Sequence, residues 1–166
     1  MYLRLYRNKP QCSAITGRLV IDGRFFCNTL ERVDYQILAL CYPVRVTQSP
    51  KFKRLLPLVC GVPQTEVKGD RLKAKGTENG KVDTLASRLS PLASSPMRSG
   101  IRFHRGSKPE HSTGCILVPA DKEKALTDLI LNAQNAHEEI ILEVIDYSPG
   151  TEYGYNHPCP PELQKR

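Results

Sequence analysis

The chain has 166 residues, of which 40% are hydrophobic and 25% charged, and its net charge is +7 at pH 7. This length suits one domain with a real hydrophobic core. No apolar run approaches the roughly 18 residues that a membrane span needs, and the first residues lack the apolar segment and cleavage site of a secretory signal peptide. We therefore expect a protein without a membrane segment that is made in the cytoplasm.

The first thirty residues are patterned as β-strands. Residues 2–7 alternate apolar and polar side chains, and two β-prone runs follow on either side of Asp22-Gly23. This pair favours a two-residue hairpin turn. The side chains that regular pairing would place on the core face of the hairpin are Ile15, Leu19, Ile21, Phe26 and Leu30.

Two further segments complete the N-terminal part. Residues 38–49 alternate around Val44 and Val46 and predict a third strand, and residues 52–60 predict a short edge element. Residues 61–100 are instead rich in Gly, Ser, Lys and Pro. A long loop of this kind inside a domain often serves a site, so we expect an insertion that acts as a lid.

The C-terminal part predicts the main helix of the chain. Asp121 is a plausible N-cap for it, and a final strand follows over residues 139–146. Residues 151–166 are Pro-rich and predict a weakly ordered tail. The whole pattern indicates a single mainly β domain over residues 1–150, with one substantial helix. The apolar stripe of that helix consists of Ala125, Leu126, Leu129, Ile130, Ala133 and Ala136.

A histidine and a cysteine stand close together in residues 101–117, IRFHRGSKPEHSTGCIL. In a strand that ends at His104, Arg102 shares the face of the histidine, whereas Phe103 points to the core. A polar loop with Gly and Pro then leads to Cys115 and another apolar run. Adjacent strands could therefore bring the two side chains together.

This pair suits nucleophilic catalysis. A thiolate attacks a carbonyl far better than a thiol does, and a neighbouring imidazole can take the thiol proton. Gly114 permits a tight turn, so the backbone amides of Gly114 and Cys115 are candidates for an oxyanion hole. The alternative is that Cys115 is a small buried residue and His104 a satisfied polar one.

The order of these residues resembles the catalytic domain of the L,D-transpeptidases, in which a histidine at a strand end precedes the pattern S-x-G-C-[IV], a helix and a final strand. The segments GRLVIDGRFFCNTLE, YPVRVTQSPKFKRLLPLV and GIRFHRG…GCILV are also similar to a largely uncharacterised group of bacterial and phage-associated domains. The resemblance covers roughly residues 3–60 and 100–146. It implies a β-sandwich or barrel whose cysteine acts on peptidoglycan stem peptides.

The resemblance also implies roles for single residues. Cys115 matches the nucleophile and His104 the general base, while Ser112, Thr113 and Gly114 occupy the supporting positions before the cysteine. Thr113 replaces the usual second histidine of that pattern.

A second departure concerns the positive charge of the site. Leu117 stands where the transpeptidases usually have an arginine that organises the site or binds a substrate carboxylate. Arg102, Arg105 and Ser107, in the neighbouring strand and loop, are the candidates for contacts with the substrate.

We therefore expect a cysteine enzyme of the L,D-transpeptidase or L,D-carboxypeptidase type that forms a thioester with a stem peptide and needs no cofactor or metal. Its partner would be peptidoglycan or its stem peptides. Because no signal peptide is evident, such an enzyme would reach the periplasm or cell wall by a non-Sec route, as an antibacterial effector with a delivery or immunity protein, or as a phage protein.

Two other classes of function stay open. The same scaffold could be a noncatalytic wall-binding or phage structural module with a degenerate site. A basic nucleic-acid-binding domain would fit the pI of about 9.2, but the sequence lacks the interleaving of basic and aromatic residues that nucleic-acid platforms use, so a nucleic-acid partner is not expected.

Overall fold

The computed structural model describes residues 1–64 and 97–147. The strands in these ranges are β1 (Tyr2–Arg7), β2 (Ala14–Ile21), β3 (Arg24–Arg32), β4 (Cys41–Gln48), β5 (Leu55–Val59), β6 (Val62–Pro63), β7 (Met97–Arg98), β8 (Phe103–Arg105), β9 (Ile116–Val118) and β10 (Ile141–Ile145). The α-helix α1 spans Ala120–Asn135, and short 3-10 turns span Val33–Tyr35 and Pro109–His111. The expected mainly β fold with one helix is therefore confirmed. No helix in the described part is long and apolar enough to cross a membrane.

Eight of the strands form one sheet in the order β5-β4-β10-β1-β2-β3-β9-β8. The pairs β1/β10 and β8/β9 are parallel, and the other neighbours are antiparallel. The two edges of the sheet meet through a bridge between Leu58 and Arg102, and the Val59 N–H donates to the Ile101 carbonyl over 2.9 Å. The sheet is thus a nearly closed barrel, and the predicted edge element β5 is not a free edge.

The β2–β3 hairpin forms around Asp22-Gly23 as predicted, but its pairing differs from regular alternation. Its register shifts between Leu19 and Val20, so Leu19 pairs with Cys27 and not with Phe26. A bulge inserts one residue, and a one-residue slip exchanges the two faces of a strand. The prediction that Phe26 and Leu30 lie opposite Leu19 and Ile15 is therefore wrong.

The core fills the inside of the barrel and is closed by α1, which packs on β4, β5 and β8. From α1, Leu126, Ile130 and Ala133 are buried, and the Val46 N–H donates to the side-chain oxygen of Gln134 over 2.8 Å. The predicted apolar stripe is confirmed at these three positions and is wrong at Ala125, Leu129 and Ala136, which are exposed. The N-cap is Pro119, and the predicted cap Asp121 lies in the first turn, where its charge suits the helix dipole.

A charged pair is buried inside the same barrel. Arg7 and Glu31 are each 2% exposed, and the Arg7 guanidinium donates two bonds of 2.8 and 2.7 Å to the Glu31 carboxylate. A third bond of 2.9 Å joins Arg7 to Asp146, which is largely exposed. Two carboxylates therefore compensate the single buried guanidinium.

The predicted insertion lies only partly within the described residues. Its two ends form the β6–β7 ladder, in which Val62 pairs with Arg98 and Pro63 with Met97. The predicted lid over residues 65–96 and the predicted tail over residues 151–166 lie outside the described residues.

Candidate active site

The two predicted catalytic residues belong to neighbouring parallel strands, His104 within β8 and Cys115 immediately before β9. Phe103 pairs with Ile116 in the β8/β9 register, so Cys115 stands beside Arg102, and His104 lies two residues further along. Phe103 and Ile116 belong to the core. Because side chains alternate along a strand, Arg102 and His104 point to the opposite, outer face, whereas Cys115 precedes β9 and its thiol lies against the Gly100 carbonyl. Both of these side chains are buried, at 6% exposure for Arg102 and 3% for His104.

His104 is held in one orientation. It is 3% exposed, its Nδ1 lies 3.0 Å from the Arg105 carbonyl oxygen, and the Phe52 ring lies 4.6 Å away between centroids. A carbonyl can only accept a hydrogen bond, so the proton resides on Nδ1 and Nε2 keeps its lone pair. Burial lowers the pKa of His104, although the bond to Arg105 and the Glu123 charge act in the opposite direction. The result is a neutral imidazole whose free nitrogen can accept a proton.

Glu123 connects the helix α1 to two segments that surround His104. Its carboxylate accepts a bond of 2.9 Å from Arg54, in the β4–β5 turn, and one of 2.5 Å from the Arg105 N–H in β8. The first turn of α1 therefore fixes both the strand that carries His104 and the turn that carries Phe52.

A serine hydroxyl shapes the turn that presents the cysteine. Ser112 is buried, and its Oγ donates to the Cys115 carbonyl over 2.7 Å and accepts the Gly114 N–H over 3.0 Å. The Gly114 amide of the predicted oxyanion hole is therefore already engaged. The Cys115 N–H finds no acceptor among the described residues and is the amide left to bind an oxyanion. Thr113 is exposed on the same turn.

The Cys115 thiol lies in a partly buried, cationic environment. It donates to the Gly100 carbonyl over 3.6 Å. Burial raises the pKa of Cys115, whereas the Arg102 backbone N–H and the charges of Lys51, Arg102 and Arg98 act to lower it. Burial is the larger effect, so the thiol is predominantly protonated at neutral pH.

His104 and Cys115 are close but not hydrogen-bonded. The His104 bond goes to Arg105 and the thiol bond to Gly100. Their offset of one strand and two residues separates the Cα atoms by roughly 8 Å, which an imidazole and a rotated thiol can span. Catalytic hydrogen bonds are often incomplete without substrate. The arrangement fits a thiol that loses its proton to His104 during attack.

Arg102 is placed differently from the other substrate-contact candidates. It is 6% exposed and donates four bonds to the carbonyls of Thr47, Leu56 and Gln48 and to the Thr47 hydroxyl. It therefore pins the ends of β4 and β5. Arg105 and Ser107 are exposed next to the site, as a substrate contact requires.

Sequence reasoning missed three residues that structure the site: Phe52, Arg98 and Glu123. Each lies in a segment that carried another prediction, as an edge element, an insertion or a helix turn. A basic and aromatic run at 51–54, KFKR, was the available signal for the first. The other two depend on long-range contacts that no local pattern marks.

The remaining histidines and cysteines do not assemble a metal site in the described ranges, where no group of three His, Cys, Asp or Glu side chains could hold an ion. His111 is exposed in the 3-10 turn, and His137 is exposed after α1. The described cysteines are all free thiols.

Comparisons with protein-family models, with curated proteins and with solved structures give no match to this chain.

Proposed function

We propose that this protein is a cysteine-dependent enzyme of peptidoglycan stem peptides, of the L,D-transpeptidase or L,D-carboxypeptidase type. The observation that supports the proposal is the register of two parallel strands, which places His104 in β8 two residues from the position beside Cys115, together with an imidazole whose Nδ1 is engaged by the Arg105 carbonyl and whose Nε2 has no hydrogen bond among the described residues. Delivery to the periplasm or cell wall, and an immunity partner, belong to the same proposal.

The reaction proceeds in two halves. In the first, the Cys115 sulfur attacks the carbonyl of a stem-peptide amide, and His104 Nε2 takes the thiol proton. The Cys115 N–H binds the oxyanion. The C–N bond then breaks, the leaving amine receives the proton from His104, and the acyl group remains on the sulfur as a thioester.

In the second half, an acceptor attacks the thioester and restores the thiol. An amine of another stem gives a new cross-link, and water gives a shortened peptide. In both cases His104 takes a proton from the acceptor and returns it to the departing sulfur. Exposed polar groups near the site, Arg105 and Ser107, are the candidates that contact the peptide.

A noncatalytic wall-binding module is the second candidate. Its support is the raised pKa of Cys115 and the direction of the thiol toward Gly100 instead of His104. A binding module would keep the scaffold and the cationic surroundings, but it would not turn over a peptide.

Mass analysis of muropeptides separates the two candidates. Purified wild type, Cys115→Ala and His104→Ala are incubated with peptidoglycan that carries tetrapeptide and pentapeptide stems. We expect loss of a terminal D-alanine, or new cross-links, with wild type alone. Cross-links identify transfer, and shortened peptides identify hydrolysis.

Two matched controls keep the result specific. Cys41→Ala removes an exposed thiol on β4, and His111→Ala removes an exposed imidazole in the loop before Cys115. Both should retain wild-type turnover. Folded wild type that leaves all muropeptides unchanged but sediments with peptidoglycan would instead establish the binding module.

A further inference from the structure

Arg105 turns both of its backbone polar groups away from β9. On the side of β9, the Ile116 N–H donates to the Arg102 carbonyl over 2.9 Å, and the Gly106 N–H donates to the Val118 carbonyl over 3.2 Å. In a strand, the N–H and C=O of one residue point to the same side, and this side alternates along the chain. Because residues 102 and 106 bond to β9, Arg105 directs its N–H and its carbonyl to the opposite side.

A carboxylate and an imidazole bind these two groups in place of a strand. β5 reaches this side of the chain before Arg105, where the Val59 N–H donates to the Ile101 carbonyl over 2.9 Å. At Arg105 itself, the N–H donates to the Glu123 carboxylate over 2.5 Å, and the carbonyl oxygen lies 3.0 Å from His104 Nδ1. The acceptor of the His104 proton therefore belongs to the residue that Glu123 holds.

The Glu123 carboxylate is itself fixed from outside the strand. It is 12% exposed and accepts a bond of 2.9 Å from the Arg54 guanidinium. It belongs to the first turn of α1, where the Glu123 N–H donates to the Pro119 carbonyl over 3.2 Å and a negative charge suits the helix dipole. The buried side chains of α1 set the position of this turn, so the carboxylate can restrain Arg105.

This restraint bears on which nitrogen of His104 carries the proton. Neutral histidine exchanges between an Nδ1–H and an Nε2–H tautomer, and the hydrogen bond of one nitrogen selects between them. Only the Nδ1–H tautomer leaves a lone pair on Nε2 that can accept the Cys115 proton. An Arg105 carbonyl that is free to turn away would no longer favour this tautomer.

The Glu123 charge also favours the imidazolium that forms when His104 takes a proton. Burial lowers the pKa of His104, whereas the bond to Arg105 and the Glu123 charge act to raise it. The charges of Lys51 and Arg54 act in the same direction as burial. Glu123 therefore opposes three effects that disfavour the protonated ring.

We propose that Glu123 is a positioning residue, which holds Arg105 so that His104 keeps its proton on Nδ1 and presents Nε2 as the base. The proposal rests on the proposed function for the step in which Nε2 takes the thiol proton. Glu123 acts through Arg105 and not on the reacting atoms.

Nitrogen-15 NMR of the histidine rings measures the tautomer without a substrate, because protonated and unprotonated ring nitrogens differ in chemical shift. The His104 signals are identified by their loss in His104→Asn. Glu123→Met keeps the length and helix propensity of the side chain but removes the acceptor. We expect the ratio of Nδ1–H to Nε2–H to fall about fivefold, the effect of one net hydrogen bond. Glu123→Gln keeps an oxygen that can accept the Arg105 N–H and should retain most of the wild-type ratio.

Two controls separate this role from a general effect on the structure. Glu110→Gln removes an exposed carboxylate in the loop between β8 and β9, and Arg54→Gln removes the other partner of Glu123. Both should keep the wild-type ratio. An unchanged ratio in Glu123→Met overturns the proposal, as does a wild type that carries the His104 proton on Nε2. If Glu123→Met does not fold, Glu123→Ala gives the same test with no bulk against β8.

Muropeptide turnover is the independent readout. If wild type turns over, kcat of Glu123→Met should fall by the same factor as its Nδ1–H fraction while KM stays unchanged, because only this fraction is competent. Turnover by wild type with a ratio that ignores Glu123→Met removes this proposal alone. A ratio that responds to Glu123→Met, without turnover by wild type, removes the proposed reaction and leaves the positioning of His104.

Discussion

Two buried arginines on opposite faces of the barrel have different hydrogen-bond partners. Inside, Arg7 meets two carboxylates, and its bonds to Glu31 and Asp146 raise its pKa although burial lowers it. On the outer face, Arg102 meets only carbonyls and a hydroxyl, and burial lowers its pKa.

The two faces therefore differ in how much positive charge is left without a carboxylate partner. In a buried ion pair with matched hydrogen bonds, the two charges compensate each other. A cation that lacks a carboxylate leaves a positive potential, which favours a thiolate or an anionic ligand. Arg102 and Arg98 both create this potential beside Cys115, so the outer face is the one suited to chemistry.

The inner pair can be broken by Glu31→Ala, which should have the largest effect on stability. This change leaves Arg7 buried without its bidentate partner, and the free energy of unfolding should fall by about 3–5 kcal/mol. Urea denaturation measures the loss. Asp146→Asn removes the exposed partner and should cost about 1 kcal/mol or less. Equal losses for the two variants would contradict a structural role of the inner pair.

The turn of residues 112–115, which presents Cys115, can be disrupted by Gly114→Ala. The new Cβ overlaps the Arg98 guanidinium and the residue must keep φ +120°, so we expect a loss of about 1–3 kcal/mol in thermal unfolding. Gly61→Ala is the matched control, because its φ is also positive but nothing lies within 4 Å of a Cβ there. Arg98→Ala in the Gly114→Ala background should recover part of the loss; no recovery would show that backbone strain alone is responsible.

The pH dependence of stability tests whether the His104 imidazole is neutral in the folded protein. Burial lowers the pKa of His104, so the unfolded chain binds its proton more tightly than the folded protein does. The stability contributed by the neutral imidazole is therefore complete above about pH 6.5 and is lost as pH falls through the lower folded-state pKa. The free energy of unfolding, measured by denaturation between pH 5 and 7.5, should decrease with falling pH by at most about 1.4 kcal/mol per pH unit.

His104→Asn should remove that slope, whereas His111→Asn, at an exposed position, should retain it. If the stability of both variants depended on pH as steeply as that of the wild type, the titration would belong to another group.

The smallest effect is expected from Phe52→Leu. Loss of the ring at 4.6 Å from His104 should cost about 1 kcal/mol and admit water to the imidazole, so that the pKa of His104 rises toward its ordinary value. NMR titration of the imidazole measures the shift. Phe25→Leu, at a ring that is 60% exposed, should change stability by less than about 0.5 kcal/mol. An unchanged His104 titration would show that Phe52 does not shield it.

Local patterns predicted the elements but not their partners. Alternation identified β1, β4 and the strand before His104, and Asp22-Gly23 identified the β2–β3 turn, because these depend on neighbours in sequence. The register shift between Leu19 and Val20, which leaves Phe26 unpaired in the β2–β3 ladder, was not predicted, since no local pattern marks a bulge here.

The candidate site divides in the same way. His104, Ser112, Gly114 and Cys115 were predicted because they stand within a short motif. Arg98 and Glu123 were not, because they reach the site from a β6–β7 ladder and a helix turn whose positions are fixed only by tertiary packing. The burial of Arg102 and His104 was not predicted, because it depends on β4, β5 and α1, which pack over them from distant parts of the sequence.

The parallel pairing of β1 with β10 has a consequence for how the chain folds. β10 lies between β1 and β4 and bonds to both, although nearly the whole sequence separates it from β1. Without β10, the β4–β5 pair would contact the row β1-β2-β3-β9-β8 through the Leu58–Arg102 bridge but would not be paired with β1. Such long-range pairing is slow, so on the ribosome the barrel stays open between β1 and β4 until β10, the last described strand, has emerged.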